Sequence, residues 1–100
     1  MERTEIVRLN ESYSRLEGEE VTVCGWVRTI RDSKTFGFIE INDGSCFRNL
    51  QIVFDNTLAN FDEIRKLNVG SAIRVMGKVV VTSQAKQPYE IRADKISVEG

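Results

Sequence analysis

A small all-β barrel of five strands is the fold this sequence predicts, from three observations. Five stretches between Val21 and Val98 are rich in β-formers or alternate apolar and polar residues with period two. Asp43-Gly44 sits between two such runs as the signal of a tight hairpin turn. Only one internal helical pattern occurs, Asn56 to Asn68, and it separates the third strand from the fourth. Three strands, a helix able to plug an open end, and a closing pair form the order of a five-stranded Greek-key barrel.

Met1 to Glu20 reads as a helical lead-in packed on the barrel, with 21–100 as the barrel itself and the whole as one domain. The lead-in helix is expected over Asn10 to Leu16, with Leu9, Tyr13 and Leu16 as one apolar stripe and Gly18 as its stop. Val21 to Thr29 is the first strand, where Gly25 permits a bend and Trp26 is expected in the core, closing a barrel end. Arg31 to Lys34 is read as a loop leading into the hairpin of Thr35 to Asp55. In the 56–68 helix, Asn60 is the expected cap, Glu63 completes a capping box, and Phe61, Ile64 and Leu67 face inward. Arg65 and Lys66 fall at the end where positive charge is favoured. Ala72 to Thr82 is the fourth strand, Ser83 to Pro88 a polar loop and Tyr89 to Val98 the fifth strand.

The hairpin carries an anomaly. Ile39 and Ile41 share the core face with Leu50, Ile52 and Phe54, which leaves Phe36 and Phe38 on the water face beside Glu40, Asn49 and Gln51. A four-residue turn over Asp43 to Cys46 would place Phe38 directly across from Gln51. An exposed ring beside an exposed amide suits a nucleobase: the ring offers a stacking surface, and the amide a donor and an acceptor for a base edge. Each residue also has a plainer role. Phe38 can cover a neighbouring strand, Phe36 can pack beneath the loop, and Arg28 and Arg31 can be solvated or paired with Asp32. Glutamate repels phosphate, so Glu40 reads as an ordinary exposed charge, and Glu90 gains near RNA only by accepting from a base.

Composition narrows the function. One hundred residues suffice for one core but not for an added catalytic domain, so a binding module is expected. No apolar run is long enough to cross a bilayer, and the charged start lacks a signal-peptide core, so a cytoplasmic protein with no membrane partner is expected. With no histidine and only Cys24 and Cys46, metal and Cys-His chemistry are not expected. The net charge of −1 argues against nucleic acid, yet its distribution weakens that objection. Residues 1–20 hold six carboxylates, whereas Trp26 to Phe36 holds Arg28, Arg31 and Lys34 against Asp32 alone. No nucleophile-base pair or phosphate-binding glycine loop appears, so no catalytic residue is assigned.

The element order is that of the OB-fold, whose binding face uses the second and third strands with the 1-2 and 4-5 loops. Those are the aromatic hairpin, Arg31 to Lys34, and Ser83 to Pro88. The segments VTVCGWVRTIRDSKTFGFIEINDG, NLQIVFD, KLNVGSAIRVMGKVV and AKQPYEIRA together resemble the amino-terminal anticodon-binding domain of asparaginyl-tRNA synthetase. CGWV, RD and the hairpin are shared with the aspartyl and, more loosely, the lysyl members of that class II group. The TIRDSKTFGFIEIND and KQPYEI forms favour the asparaginyl branch. The resemblance implies that Phe38 stacks on the middle anticodon uracil, Gln51 hydrogen-bonds it, Arg31 is the arginine of the RD motif, and Glu90 reads the first base. Arg28, Phe36 and Asn49 complete the expected face, with Lys34, Lys86 and Gln87 as loop contacts.

By the same resemblance the partner is the anticodon loop of asparagine tRNA, anticodon GUU, read for a homodimeric ligase. The large catalytic domain of that family, with its ATP and Mg2+, has no counterpart in these residues. The chain therefore reads as an excised or reconstructed domain that is no enzyme alone, holds no cofactor and works beside a catalytic domain. An aspartyl specificity, or an OB-fold adaptor for a protein or oligosaccharide, stands as the alternative.

Overall fold

Alternation along the strands decides which side chains meet, and in the computed structural model, which describes residues 4–82 and 87–99, it closes a barrel. The strands are β1 (Glu20–Asp32), β2 (Phe36–Asn42), β3 (Leu50–Asp55), β4 (Ala72–Val81) and β5 (Tyr89–Val98), in the closed order β1-β2-β3-β5-β4. β3 and β5 run parallel and every other pair antiparallel, the crossing that makes the barrel a Greek key. Val23, Val27, Ile39, Ile41, Ile52, Phe54, Ile73, Val75 and Ile91 fill the interior. The expected fold is thus found, with one helix between β3 and β4 and a short helix before the barrel.

β1 differs from its expected length. It runs on through Arg31 and Asp32, because Ile30 continues the inward alternation opposite Ile39. Only Ser33 to Thr35 remains as the turn, closed by the Ser33 N–H donating to the Phe36 carbonyl at 2.8 Å. The register of β1 on β2 shifts between Val27 and Thr29, a bulge at Arg28 that re-aims the following side chains. Trp26 corrects a second expectation, being 40 % exposed rather than in the core. The inward positions beside it belong to Val27 and to Gly25, whose place a side chain could not share with the Asn42 carbonyl, since an added Cβ would lie 2.7 Å from that oxygen. Trp26 therefore faces out between Asn42 and Ala72.

The lead-in helix, α1 (Ile6–Ser12), starts earlier than its sequence signals and passes into a 3-10 turn over Tyr13–Arg15. Its free N–H groups are satisfied from the β2–β3 connection. The Asp43 carboxylate accepts from the Ile6 N–H at 2.9 Å, and the Ser45 hydroxyl from the Val7 N–H at 3.0 Å. No local reading reveals a cap so distant in sequence. Ile6 and Leu9 join the barrel core, and Tyr13 stacks on Tyr89 with ring centroids 4.8 Å apart. The Tyr89 hydroxyl donates to Asn10 Oδ1 at 2.7 Å, and burial pushes its pKa well above the usual tyrosine range.

Burial alone would raise the Asp43 pKa, but the hydrogen bonds from the Ser45 side chain and from the Ile6 and Ser45 backbone outweigh it and hold the carboxyl below its ordinary 3.8. A depressed folded value adds stability that is present above 3.8 and disappears as pH falls through the folded value. Asp43→Ala is accordingly expected to cost about 1 to 2 kcal/mol in urea unfolding at pH 7, the scale of removing a helix cap. The gap between the two proteins should narrow below about pH 4. A gap unchanged down to pH 2 would detach the helix from this carboxylate.

α2 (Phe61–Ile64) is a single turn, much shorter than the 56–68 pattern. The Asn60 side chain does not cap it. Its amide donates instead to Glu63 Oε1 at 3.0 Å and to the Ile96 carbonyl at 2.9 Å, tying the turn to β5. Phe61 and Ile64 are buried as expected and plug the barrel end. One turn has little dipole to complement, so Arg65 pairs with Asp32 at 2.9 Å and lies over the Phe61 ring.

Candidate nucleic-acid interface

The β2–β3 register places the site. Ile41 faces Leu50, where a four-residue turn would have put Arg48, so the pairing is slipped by two residues from expectation. Phe38 consequently faces Val53, and Gln51 faces Glu40. The longer connection is held by its own side chains. Asn42 Nδ2 donates to the Cys46 carbonyl at 3.2 Å and to Asn49 Oδ1 at 3.1 Å, while Asp43 Oδ1 accepts from the Ser45 N–H at 2.9 Å. Because the slip is even, every side chain keeps its face. Phe38 and Gln51 are diagonal neighbours, about 7 to 8 Å apart, rather than a facing pair.

Reading across the strands, two rows of outward residues run over the barrel wall. One is Arg31, Phe38, Val53, Arg92 and Lys78; the other is Thr29, Glu40, Gln51, Glu90 and Val80. The first row is cationic and aromatic, the second acidic and amide. In the second, Gln51 Nε2 donates to Glu90 Oε1 at 3.2 Å, which directs the Gln51 carbonyl away from that carboxylate. Asn49 Nδ2 donates to Glu40 Oε1 at 3.2 Å while Asn49 Oδ1 accepts from Asn42, so Glu40 is an oriented acceptor and not the free surface charge expected. These amides stand beside rings that water reaches: Phe36 is 43 % exposed, and its ring meets that of the half-buried Phe38 edge-on at 5.5 Å. Phe36, Phe38, Arg31, Asp32 and Ser33 line a recess of about 270 Å3.

Asp32 is engaged by Arg65, so Arg31 forms no ion pair among the described residues and is exposed at the rim of that recess. The structure thus brings Phe36, Phe38, Arg31, Asn49, Gln51 and Glu90 onto one face. Arg28, at the bulge, belongs to neither row. Lys34 is exposed in the turn before Phe36. Gln87 lines a second recess of about 300 Å3 with Glu40, Arg48, Asn49 and Pro88, and Lys86 lies outside the described residues. Arg92 and Lys78 in the Phe38 row, and Arg48 in the second recess, share this face without having been among the residues expected from the sequence. Alternation already put Arg92 outward, but its place in the Phe38 row depends on the parallel β3–β5 pairing, which nothing local encodes.

Residues 21–99 match the tRNA anti-codon family of OB-fold nucleic acid binding domains. The chain belongs to that family. This OB-fold domain is 54% identical over 100 residues to the asparagine–tRNA ligase of Bacillus cereus, and 55% identical over 101 residues to that of Acetivibrio thermocellus. All of the chain is covered in both, against 22% of each ligase. Among solved structures, the asparaginyl-tRNA synthetase of Pyrococcus horikoshii complexed with asparaginyl-adenylate superposes with a TM-score of 0.82 at 26% identity, over 98% of this chain and 22% of that one. The OB-fold domain therefore spans about a fifth of the length of the relatives it matches. Among its described residues no helix is long and apolar enough to cross a membrane.

Proposed function

We propose that this domain binds the anticodon loop of asparagine tRNA on the face of β1, β2, β3 and β5, selecting the anticodon GUU for an asparagine–tRNA ligase. The observation that carries the reading is the pairing of an accessible aromatic with a fixed amide and carboxylate, Phe38 beside Gln51 and Glu90, on a rigid sheet. A nucleobase has the same two-part need, a π-face to stack and an edge to satisfy. The middle uracil stacks on Phe38, with Phe36 buttressing the ring. The Gln51 carbonyl is then positioned to accept the uracil imino hydrogen, while the Gln51 amide remains with Glu90. Glu90 keeps a second carboxylate oxygen for the imino and amino hydrogens of guanine at the first position. Arg31 neutralises a phosphate beside the stacked base.

The rest of such a ligase supplies the catalytic domain, its ATP and Mg2+, and the dimer contacts, and this domain needs no cofactor of its own. It works in the cytoplasm, where tRNA is charged. With a net charge of −1 the isolated domain binds weakly, and base contacts decide what it keeps.

The test is titration of stem-loops differing only in the anticodon. Changing GUU to GAU is expected to weaken binding by about 5- to 150-fold, since the wrong edge leaves the Gln51 carbonyl unmatched at a cost of about 1 to 3 kcal/mol. GUC should also bind less well than GUU; tighter binding of GUC than of GUU would favour an aspartyl specificity, and equal affinity would mean that the third base is not read here. Binding indifferent to both anticodon and salt would point instead to a protein or oligosaccharide ligand.

A further inference from the structure

Beyond the base-reading residues, the row through Phe38 ends in two cations that none of these roles uses. Arg92 on β5 and Lys78 on β4 face each other directly across the strands, both exposed. Like charges in facing positions destabilise a sheet unless something compensates them. Here the compensation is incomplete. Glu20 stands opposite Lys78 on β1 and the field of Arg92 reaches Asp55, yet among the described residues neither cation has an ion pair.

The backbone also holds the two together. The β4–β5 register shifts between Met76 and Gly77, and an added Cβ at Gly77 would fall 2.2 Å from the Arg92 carbonyl. Glycine lets β4 press onto β5 beside the two side chains, and bulges of this kind commonly re-aim neighbouring residues. Arg92 lies two strand spacings from Phe38, about 9.5 Å, on the side away from Arg31. The aromatic platform is thus bracketed by guanidiniums.

From this we infer that Arg92 and Lys78 form a phosphodiester-binding pair, taking the backbone phosphate on the far side of the base stacked on Phe38 while Arg31 takes the near one. The inference rests on the RNA-binding reading of the same face. It also fixes the course of the strand: the backbone crosses the barrel along the cationic row, and the base edges tilt onto the Glu40–Gln51–Glu90 row, where a phosphate would be repelled. An arginine suits the bidentate contact, and a lysine adds a mobile charge behind it.

The decisive experiment titrates the GUU and GAU stem-loops across about 50 to 200 mM salt with the wild-type domain, Arg92→Gln/Lys78→Gln, an equal-charge control Lys66→Gln/Lys95→Gln, and Phe38→Ala. The Arg92/Lys78 pair of substitutions is expected to weaken both stem-loops by the same factor. It should also make the slope of log affinity on log salt shallower by about 0.7 for each phosphate that is no longer neutralised. A slope that stays at the wild-type value, or that the control double lowers equally, overturns the inference. So does a loss of affinity confined to the GUU stem-loop. If Phe38→Ala still weakens binding in those cases, the face is right and the phosphate pair wrong; if Phe38→Ala also changes nothing, the reading of the whole face falls with it. Thermal midpoints within about 2 °C of wild type are expected for both doubles, since all four positions are solvent-facing.

Discussion

Phe38→Ala is expected to weaken binding of the GUU stem-loop by about 5- to 150-fold, the loss of one base–aromatic stack of about 1 to 3 kcal/mol. The fold should hardly notice. Phe38 is half-buried on the outer wall, opposite Val53, and its ring meets Phe36 edge-on. Removing such a cross-strand neighbour costs roughly 0.2 to 1 kcal/mol of stability, so the variant stays folded while its affinity falls. Phe38→Leu separates stacking from plain apolar contact, because leucine keeps much of the area without a π-face. Leucine is expected to bind much like alanine, and tryptophan to restore affinity. Phe36→Ala should weaken binding less, since that ring buttresses the platform instead of forming it. Titration at low salt, with circular dichroism to verify folding, is sufficient. Wild-type affinity in the alanine variant would mean that RNA, if bound at all, lies elsewhere on the barrel.

Sequence patterning revealed the face because a strand has only two sides and the aliphatic set claims one of them. Phe36, Phe38, Gln51 and Glu90 all point as alternation requires. Register was harder to read. The two-residue slip that separates Phe38 from Gln51 arises in side-chain bonds of Asn42 and Asp43 within the connection, and a slip of two leaves no trace in the hydrophobic pattern. The long-range parts were less legible still. The start of α1 depends on Asp43, the shortness of α2 follows the tie from Asn60 to β5, and the freedom of Arg31 depends on Arg65 reaching Asp32. Each is a contact across more than thirty residues, made by the closed barrel and absent from any local window.

The largest effect on stability is expected from Phe54→Ala, at about 3 to 5 kcal/mol. Phe54 is 1 % exposed, packs against Phe61 at 5.8 Å, and lies beneath Gly37, between the two aromatics of the site. An added Cβ at Gly37 would come within 2.4 Å of Phe54 Cζ, so the ring already occupies the volume that a side chain at 37 would need. A domain of this size has only about 5 to 15 kcal/mol in total, and each kcal/mol removed lowers the thermal midpoint by about 4 to 8 °C. The same geometry predicts coupling. Gly37→Ala alone must displace the ring and should destabilise, but in the Phe54→Ala background its methyl enters the vacated space. The double variant is therefore expected to be more stable than the sum of the single effects by about 0.5 to 3 kcal/mol, a residual cost remaining because the Arg31 carbonyl lies 3.0 Å from the same Cβ position. Strict additivity in urea unfolding would show that the ring does not fill that space, and that the strand carrying Phe36 and Phe38 is supported in some other way.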